Sequence, residues 1–118
     1  MSERRTTPRR SFSYYVRVLD DDTQKTIGHL VELSATGIQL ETSVPLPLDK
    51  EYFLRMELTS DLADRAFLVF SARTRWCKTD TITPNLYFCG FEITEMVPED
   101  RAIFQLILEK YGEETRRK

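Results

Sequence analysis

The sequence of 118 residues has one histidine, two cysteines and four glycines, and none of its apolar runs approaches the ~18–20 residues that cross a bilayer as a helix. Each shortage removes a class of function. One histidine with Cys77 and Cys89 cannot assemble a zinc site or a metalloprotease pair, and leaves no nucleophile–base couple for covalent catalysis. Neither an enzyme nor a resident cofactor or metal is expected. The basic excess that coats nucleic acid is missing as well, since the net charge is −2. The opening Met1-Ser2-Glu3-Arg4-Arg5 runs into polar sequence and not into an apolar signal core. The expectation is a cytoplasmic chain without membrane insertion, its two thiols small core residues of a reducing compartment.

What is present reads as one β-rich domain with a helix at its end. Period-two alternation begins at Tyr14 and runs to Leu19, where Asp20-Asp21-Asp22 forms an acidic turn. Those three aspartates lack the glycine and distal glutamate of a calcium loop, so a solvated turn is the reading. Further strands are expected over about Thr26 to Leu33, Ile38 to Glu41, Tyr52 to Leu58, Ala66 to Cys77 and Leu86 to Ile93. Along the fifth run, Leu68, Phe70, Ala72, Thr74 and Trp76 share one face, while Phe67, Val69, Ser71, Arg73 and Arg75 share the wet one. Pro45 and Pro47 break pairing between the third and fourth strands. The period then changes. Pro98 suits a first helical turn, Glu99 and Asp100 suit its positive end, and Ile103, Leu106, Ile107 and Tyr111 recur at helical spacing up to Gly112, the expected stop. Phe104 and Leu108 widen that stripe, so the helix covers an open barrel mouth or mediates self-association as a homodimer.

Two stretches stand out chemically. Arg4, Arg5, Arg9 and Arg10 concentrate cationic charge in the first ten residues, against Glu3 alone. Each guanidinium is a planar, permanently charged fork able to grip phosphate or the guanine O6/N7 edge, or to stack on a base. The second stretch is Glu32-Leu33-Ser34-Ala35-Thr36-Gly37, a polar turn in which Gly37 can take a positive φ angle. If the strand runs unbroken into that turn, the Glu32 carboxylate and Ser34 hydroxyl project from one face and suit the donor-rich edge of a guanine.

An Arg5-xxx-Arg9 arm before the first strand, Glu32-x-Ser34-xx-Gly37 after the second, then Gly90-Phe91 in the last strand before a helix, resembles the PilZ family of bacterial cyclic di-GMP receptors. The resemblance covers nearly the whole chain. It implies a mainly β fold, a six-stranded antiparallel β-barrel with one C-terminal α-helix, whose outer surface holds the nucleotide. It implies a flexible arginine-rich arm over residues 1–12 that forms part of the ligand site, a barrel with its closing helix over 13–112, and a charged tail over 113–118. Arg5 and Arg9 match the motif that grips guanine and phosphate, and Ser34 and Gly37 match the second motif. Glu32 stands where the family usually has Asp or Asn. Arg4 and Arg10 lie close enough to join in, and Arg4 could contact a second, stacked nucleotide. The implied role is a cyclic di-GMP receptor or adaptor in bacterial second-messenger signalling, acting on an unidentified downstream protein. Two alternatives remain: a PilZ-fold protein-interaction adaptor that binds no nucleotide, and a small barrel that binds RNA or single strands, which the acidic total disfavours.

Overall fold

The computed structural model describes residues 10–11, 15–60 and 62–116. A two-residue strand β1 (Arg10–Ser11) precedes β2 (Arg17–Asp20), β3 (Thr26–Leu33), β4 (Gly37–Thr42), β5 (Glu51–Glu57), β6 (Phe67–Thr79) and β7 (Tyr87–Glu95), and the chain ends in α1 (Pro98–Arg116). All pairings are antiparallel. Strands β2 to β7 run around the molecule in the order β2, β5, β6, β7, β4, β3, and β3 closes the circle by pairing with both β4 and β2. The result is the expected six-stranded antiparallel barrel with one C-terminal helix, closed so that the six strands leave few free edges.

Alternation fills the interior. Tyr52, Leu54 and Met56 point inward from β5, Leu68, Phe70, Ala72 and Thr74 from β6, and Ile38 and Leu40 from β4, all buried in one cluster except Thr74, which is buried as a polar residue. The Thr74 hydroxyl donates to the Pro47 carbonyl at 2.6 Å and accepts the Lys50 N–H at 3.1 Å, which satisfies it and ties the loop before β5 to β6.

Two departures from strict alternation matter for the site. The β3–β4 register shifts between Leu30 and Glu32, so Leu30 and Leu33, three apart, are both buried. The β6–β7 register shifts between Thr74 and Trp76, with Thr74 opposite Phe91 and Trp76 opposite Gly90. Arg75 is thus an extra residue in β6, and every side chain beyond it changes face. Cys77 packs against the core opposite buried Cys89, as expected of a small core thiol, although unbroken alternation would give it the parity of Arg73 and Arg75; Trp76, expected inside, does not.

The helix begins with an Arg101 N–H to Val97 carbonyl bond at 2.8 Å. Asp100 is buried in its first turn, where it accepts the Val69 N–H at 3.0 Å and the Arg65 guanidinium at 2.8 Å. Val69 lies on β6 before β7 pairing starts at Ser71, so the helix supplies an acceptor to strand backbone that β7 leaves uncovered. Phe104 and Ile107 join the barrel core, whereas Leu106, expected on the same stripe, is 63% exposed. The helix also runs through Gly112 to Arg116; a glycine inside a helix costs only about 1 kcal/mol, too little to stop it there.

Burial pushes the Cys89 thiol from its ordinary 9.0 up to about 12, with the opposed Cys77 thiol adding to the effect, and burial raises the Tyr52 hydroxyl as well. Both groups hold their protons more firmly when folded. The stability they contribute is complete below about pH 9 and is lost as the pH rises towards 12. Melting temperature should therefore fall between pH 8 and 11, and C89A should flatten that fall; an equal fall in both proteins would refute the assignment. Replacing Asp100 by Ala should cost about 2–3 kcal/mol in urea unfolding, because the Val69 N–H loses a charged acceptor in a buried setting.

Candidate functional site

The turn between β3 and β4 lies against β7. The Ser34 N–H donates to the Gly37 carbonyl at 2.9 Å, and the Thr36 carbonyl accepts the Ile93 N–H at 2.8 Å, which ties the turn to the neighbouring strand. Gly37 does not have the positive φ expected of it, since no described glycine does. Its requirement is space: a Cβ built there would collide with the Phe91 carbonyl oxygen of β7.

Across the barrel's outer face, register sets four positions in one row: Glu32 on β3, Gln39 on β4, Gly90 on β7 and Trp76 on β6. Gly90 is the flat point of that row. Its missing Cβ would meet the Trp76 indole, so the indole lies over Gly90 on the outside. The sequence carried a sign of this, because Lys78 shares the parity of Trp76 and is exposed, with its Nζ 5.2 Å from the indole centroid.

These residues line a recess of about 300 Å³ bounded by Glu32, Ser34, Gly37, Gln39, Arg75, Trp76, Gly90 and Glu92, among others. The structure therefore brings together Glu32, Ser34 and Gly37, as the sequence reading expects, and adds Trp76, Gln39, Arg75 and Glu92. Glu32 is only 9% exposed. The Ser34 hydroxyl points back to the Gly37 carbonyl at 3.5 Å, a long bond from which it can turn away.

Strand β1 lies beside one rim of this recess. Arg10 pairs with Leu33 and Ser11 with Glu32, so β1 prolongs the β2 side of β3 up to the second motif. Arg4, Arg5 and Arg9 lie outside the described residues. The described lining has two carboxylates, Glu32 and Glu92, against the single guanidinium of Arg75, a formal charge of −1. A recess of that sign repels an anion unless cations come from outside its lining; Lys78 stands over the Trp76 indole at 5.2 Å, and the sequence carries four further arginines at positions 4, 5, 9 and 10.

The outer face has further polar structure beside the recess. Arg73 bonds Glu51 at 2.7 Å, which also accepts the Thr94 hydroxyl at 2.8 Å. His29 lies 3.4 Å from Glu41 and 4.7 Å, centroid to centroid, from the Tyr15 ring. Among the described residues no group of three or more His, Cys, Asp or Glu is placed to hold a metal ion, and no helix is long and apolar enough to cross a membrane.

Comparison with known proteins bears on this arrangement. A family model of the PilZ domain matches residues 3–110. No curated protein matches the chain. Among solved structures, the chain is similar to the inhibitor of motility MotI/DgrA of Bacillus subtilis at 18% identity and a TM-score of 0.68, covering 99% of this chain and 53% of that one. It is similar to the PilZ domain of YcgR from Escherichia coli, solved with cyclic di-GMP, at 15% identity and a TM-score of 0.68, covering 98% and 96%. Similarity to MrkH of K. pneumonia in its apo state reaches 16% identity and a TM-score of 0.71, covering 98% and 55%. At these identities the likeness is one of fold, and the chain spans about half the length of MotI and MrkH.

Two glycine substitutions test the geometry. G37A should destabilise the protein by about 1–3 kcal/mol, since its methyl meets strand backbone that has nowhere to go. G90A should fold but lift the indole, and because Trp76 is the only tryptophan, its emission should shift to the red. An unchanged spectrum would remove the indole from the recess.

Proposed function

This chain belongs to the PilZ domain family, and on that premise we propose that it is a cyclic di-GMP receptor whose nucleotide lies on the outer face of the barrel, between the arginine arm and the Glu32–Ser34–Gly37 recess. One observation carries the reading: the ladder that pairs Arg10 with Leu33 and Ser11 with Glu32 leads the arm to the rim of the only stretch matching the second motif. Arg5 and Arg9 grip guanine and phosphate, with Arg4 and Arg10 beside them; Glu32 and Ser34 meet the guanine edge, and Trp76 offers a face for stacking. Gly37 keeps the turn close to β7 and contributes by leaving room.

The mechanism is neutralisation coupled to ordering. Cyclic di-GMP has two phosphates and two guanines, and a recess of charge −1 binds it only when the arm's cations come with it. Arm and ligand thus arrive together, and the ordering cost of the arm makes the transition a switch. The ordered arm creates or hides a surface read by a downstream protein. Membership of a receptor and adaptor family supports this reading, as does the fold shared with the YcgR domain solved with cyclic di-GMP. The same family supports a non-catalytic role in the cytoplasm.

A second reading, an adaptor of the same fold that has lost the nucleotide, draws on the glutamate at position 32 and the negative recess. Isothermal titration of cyclic di-GMP into the full chain, with GTP as control, separates the two. The receptor should bind at low micromolar concentration or tighter, about −8 kcal/mol, and R9A should weaken binding by about 10- to 100-fold, the worth of charge-assisted hydrogen bonds. Absence of heat and of thermal stabilisation in the wild type would dismiss the receptor and favour the adaptor. One nucleotide per chain at saturation would dismiss a second nucleotide at Arg4.

A further inference from the structure

Arg75 is the residue that the bulge adds to β6, with Thr74 and Trp76 on either side paired to consecutive residues of β7. A bulge re-aims the side chain it inserts, and here it brings a guanidinium to the rim of the recess, next to the indole. That guanidinium is occupied. Its Nε donates to Glu92 Oε1 at 2.8 Å, its Nη2 donates to the same oxygen, and its Nη1 donates to Asp49 Oδ1 at 3.2 Å. All three side chains are open to solvent, Arg75 at 48%, Glu92 at 49% and Asp49 at 73%.

We propose that Arg75 is a phosphate-binding residue of the recess that Glu92 holds in reserve, so that Glu92 sets the affinity for an anionic nucleotide. The inference rests on the reading of the recess as a nucleotide site and adds a cation and a competing anion to it. Exposed ion pairs contribute little net stability, so exchanging Glu92 for a phosphodiester costs the fold almost nothing. The phosphodiester offers the guanidinium two acceptor oxygens in the geometry its fork prefers, where Glu92 presents a single oxygen to both Nε and Nη2. Glu92 also lines the recess and stays there after losing its partner, as a like charge beside the phosphate. It therefore opposes binding twice, by occupying Arg75 and by repelling the ligand. Asp49 reaches the same guanidinium from outside the recess and keeps it from swinging away.

Arg73 supplies the contrast. It lies two residues earlier on the same strand, bonds Glu51 and the Asp49 carbonyl, and is absent from the recess lining. R73A should leave affinity within about 2-fold of the wild type, the scale of a screened surface charge.

The test is a double-mutant cycle in the full chain. Cyclic di-GMP is titrated calorimetrically into the wild type, R75A, E92Q and R75A/E92Q, with thermal melts confirming folding and R75K as a second variant that keeps the charge but loses the fork. R75A should weaken binding about 10-fold, R75K should recover only part of that, and E92Q should tighten it about 3- to 10-fold. In R75A/E92Q the gain from E92Q should shrink to less than about 2-fold. Equal tightening by E92Q in both backgrounds, or wild-type affinity in R75A, would overturn the proposal while leaving the receptor reading intact. If the wild type takes no cyclic di-GMP, the receptor reading fails on its own. Inorganic pyrophosphate, followed through Trp76 emission, then decides the inference: a response in E92Q that disappears in R75A/E92Q sustains it, and silence in E92Q ends it.

Discussion

Along the seam between β4 and β7 the chain omits side-chain bulk at the two points where the neighbouring structure comes too close for it. Gly37 has no Cβ where the Phe91 carbonyl lies, and Gly90 has none where the Trp76 indole rests. The Thr36 carbonyl accepts the Ile93 N–H just beyond, so turn and strand are joined on both sides of Gly37. From this seam the rest of the site follows. It brings the Glu32–Ser34 turn of one hairpin within a single recess of Trp76 and Arg75, which lie two strands away on β6. A side chain at Gly37 would press the turn away from β7, and one at Gly90 would lift the indole from the row.

The second constraint is charge. Inside the barrel the problem is packing, solved by alternation, and Thr74 is buried only because its hydroxyl has both an acceptor and a donor to meet. Outside, the arginines of β6 are matched by carboxylates, Arg73 with Glu51 and Arg75 with Glu92 and Asp49, while Lys78 stands over the Trp76 indole. Such matching leaves the described recess without spare positive charge. On the proposed reading, an acidic protein can carry an anion site because the sequence concentrates arginines in its first ten residues, and the last of these, Arg10, pairs beside β3. Under that reading, affinity is a balance between guanidinium–phosphate attraction and the entropy of ordering the arm.

Most of the scaffold was legible in the sequence. The alternation of Tyr52, Leu54 and Met56, and of Leu68, Phe70, Ala72 and Thr74, shows its inward face directly, and Pro98 with Glu99 and Asp100 marks the start of the helix. What escaped was the consequence of inserting single residues. A bulge changes register without changing composition, and it is determined by pairing with a distant strand that a local pattern cannot see. The shift at Arg75 turned Trp76 from a core residue into a lining of the recess, and the shift before Glu32 let Leu30 and Leu33 be buried together. Lys78, exposed and two residues after the indole, was the available hint. Gly37 was read as a residue for an unusual φ when its role is close approach, and Leu106 was read as core although Phe104 and Ile107 suffice to seat the helix. For the site, the motif residues Glu32, Ser34 and Gly37 were legible, while Gln39 and Glu92 were not, since each enters the recess only through cross-strand neighbours.

Glu32 bears most directly on the choice between receptor and adaptor. A carboxylate that is 9% exposed on the outer face of a strand is an expensive residue for a structural position, because desolvating the charge opposes folding and because threonine or valine would favour the strand more. Its place is closely specified, opposite Gln39 on one side and Ser11 on the other. Two acceptor oxygens held at such a point suit an edge that presents adjacent N–H donors, as the N1 and N2 edge of guanine does, and they penalise an edge that lacks them. The extra methylene relative to aspartate alters how far the carboxylate reaches while leaving its charge and acceptors unchanged. Beside Ser34, in a recess faced by an indole, a carboxylate with this reach is the feature that the receptor reading uses most directly.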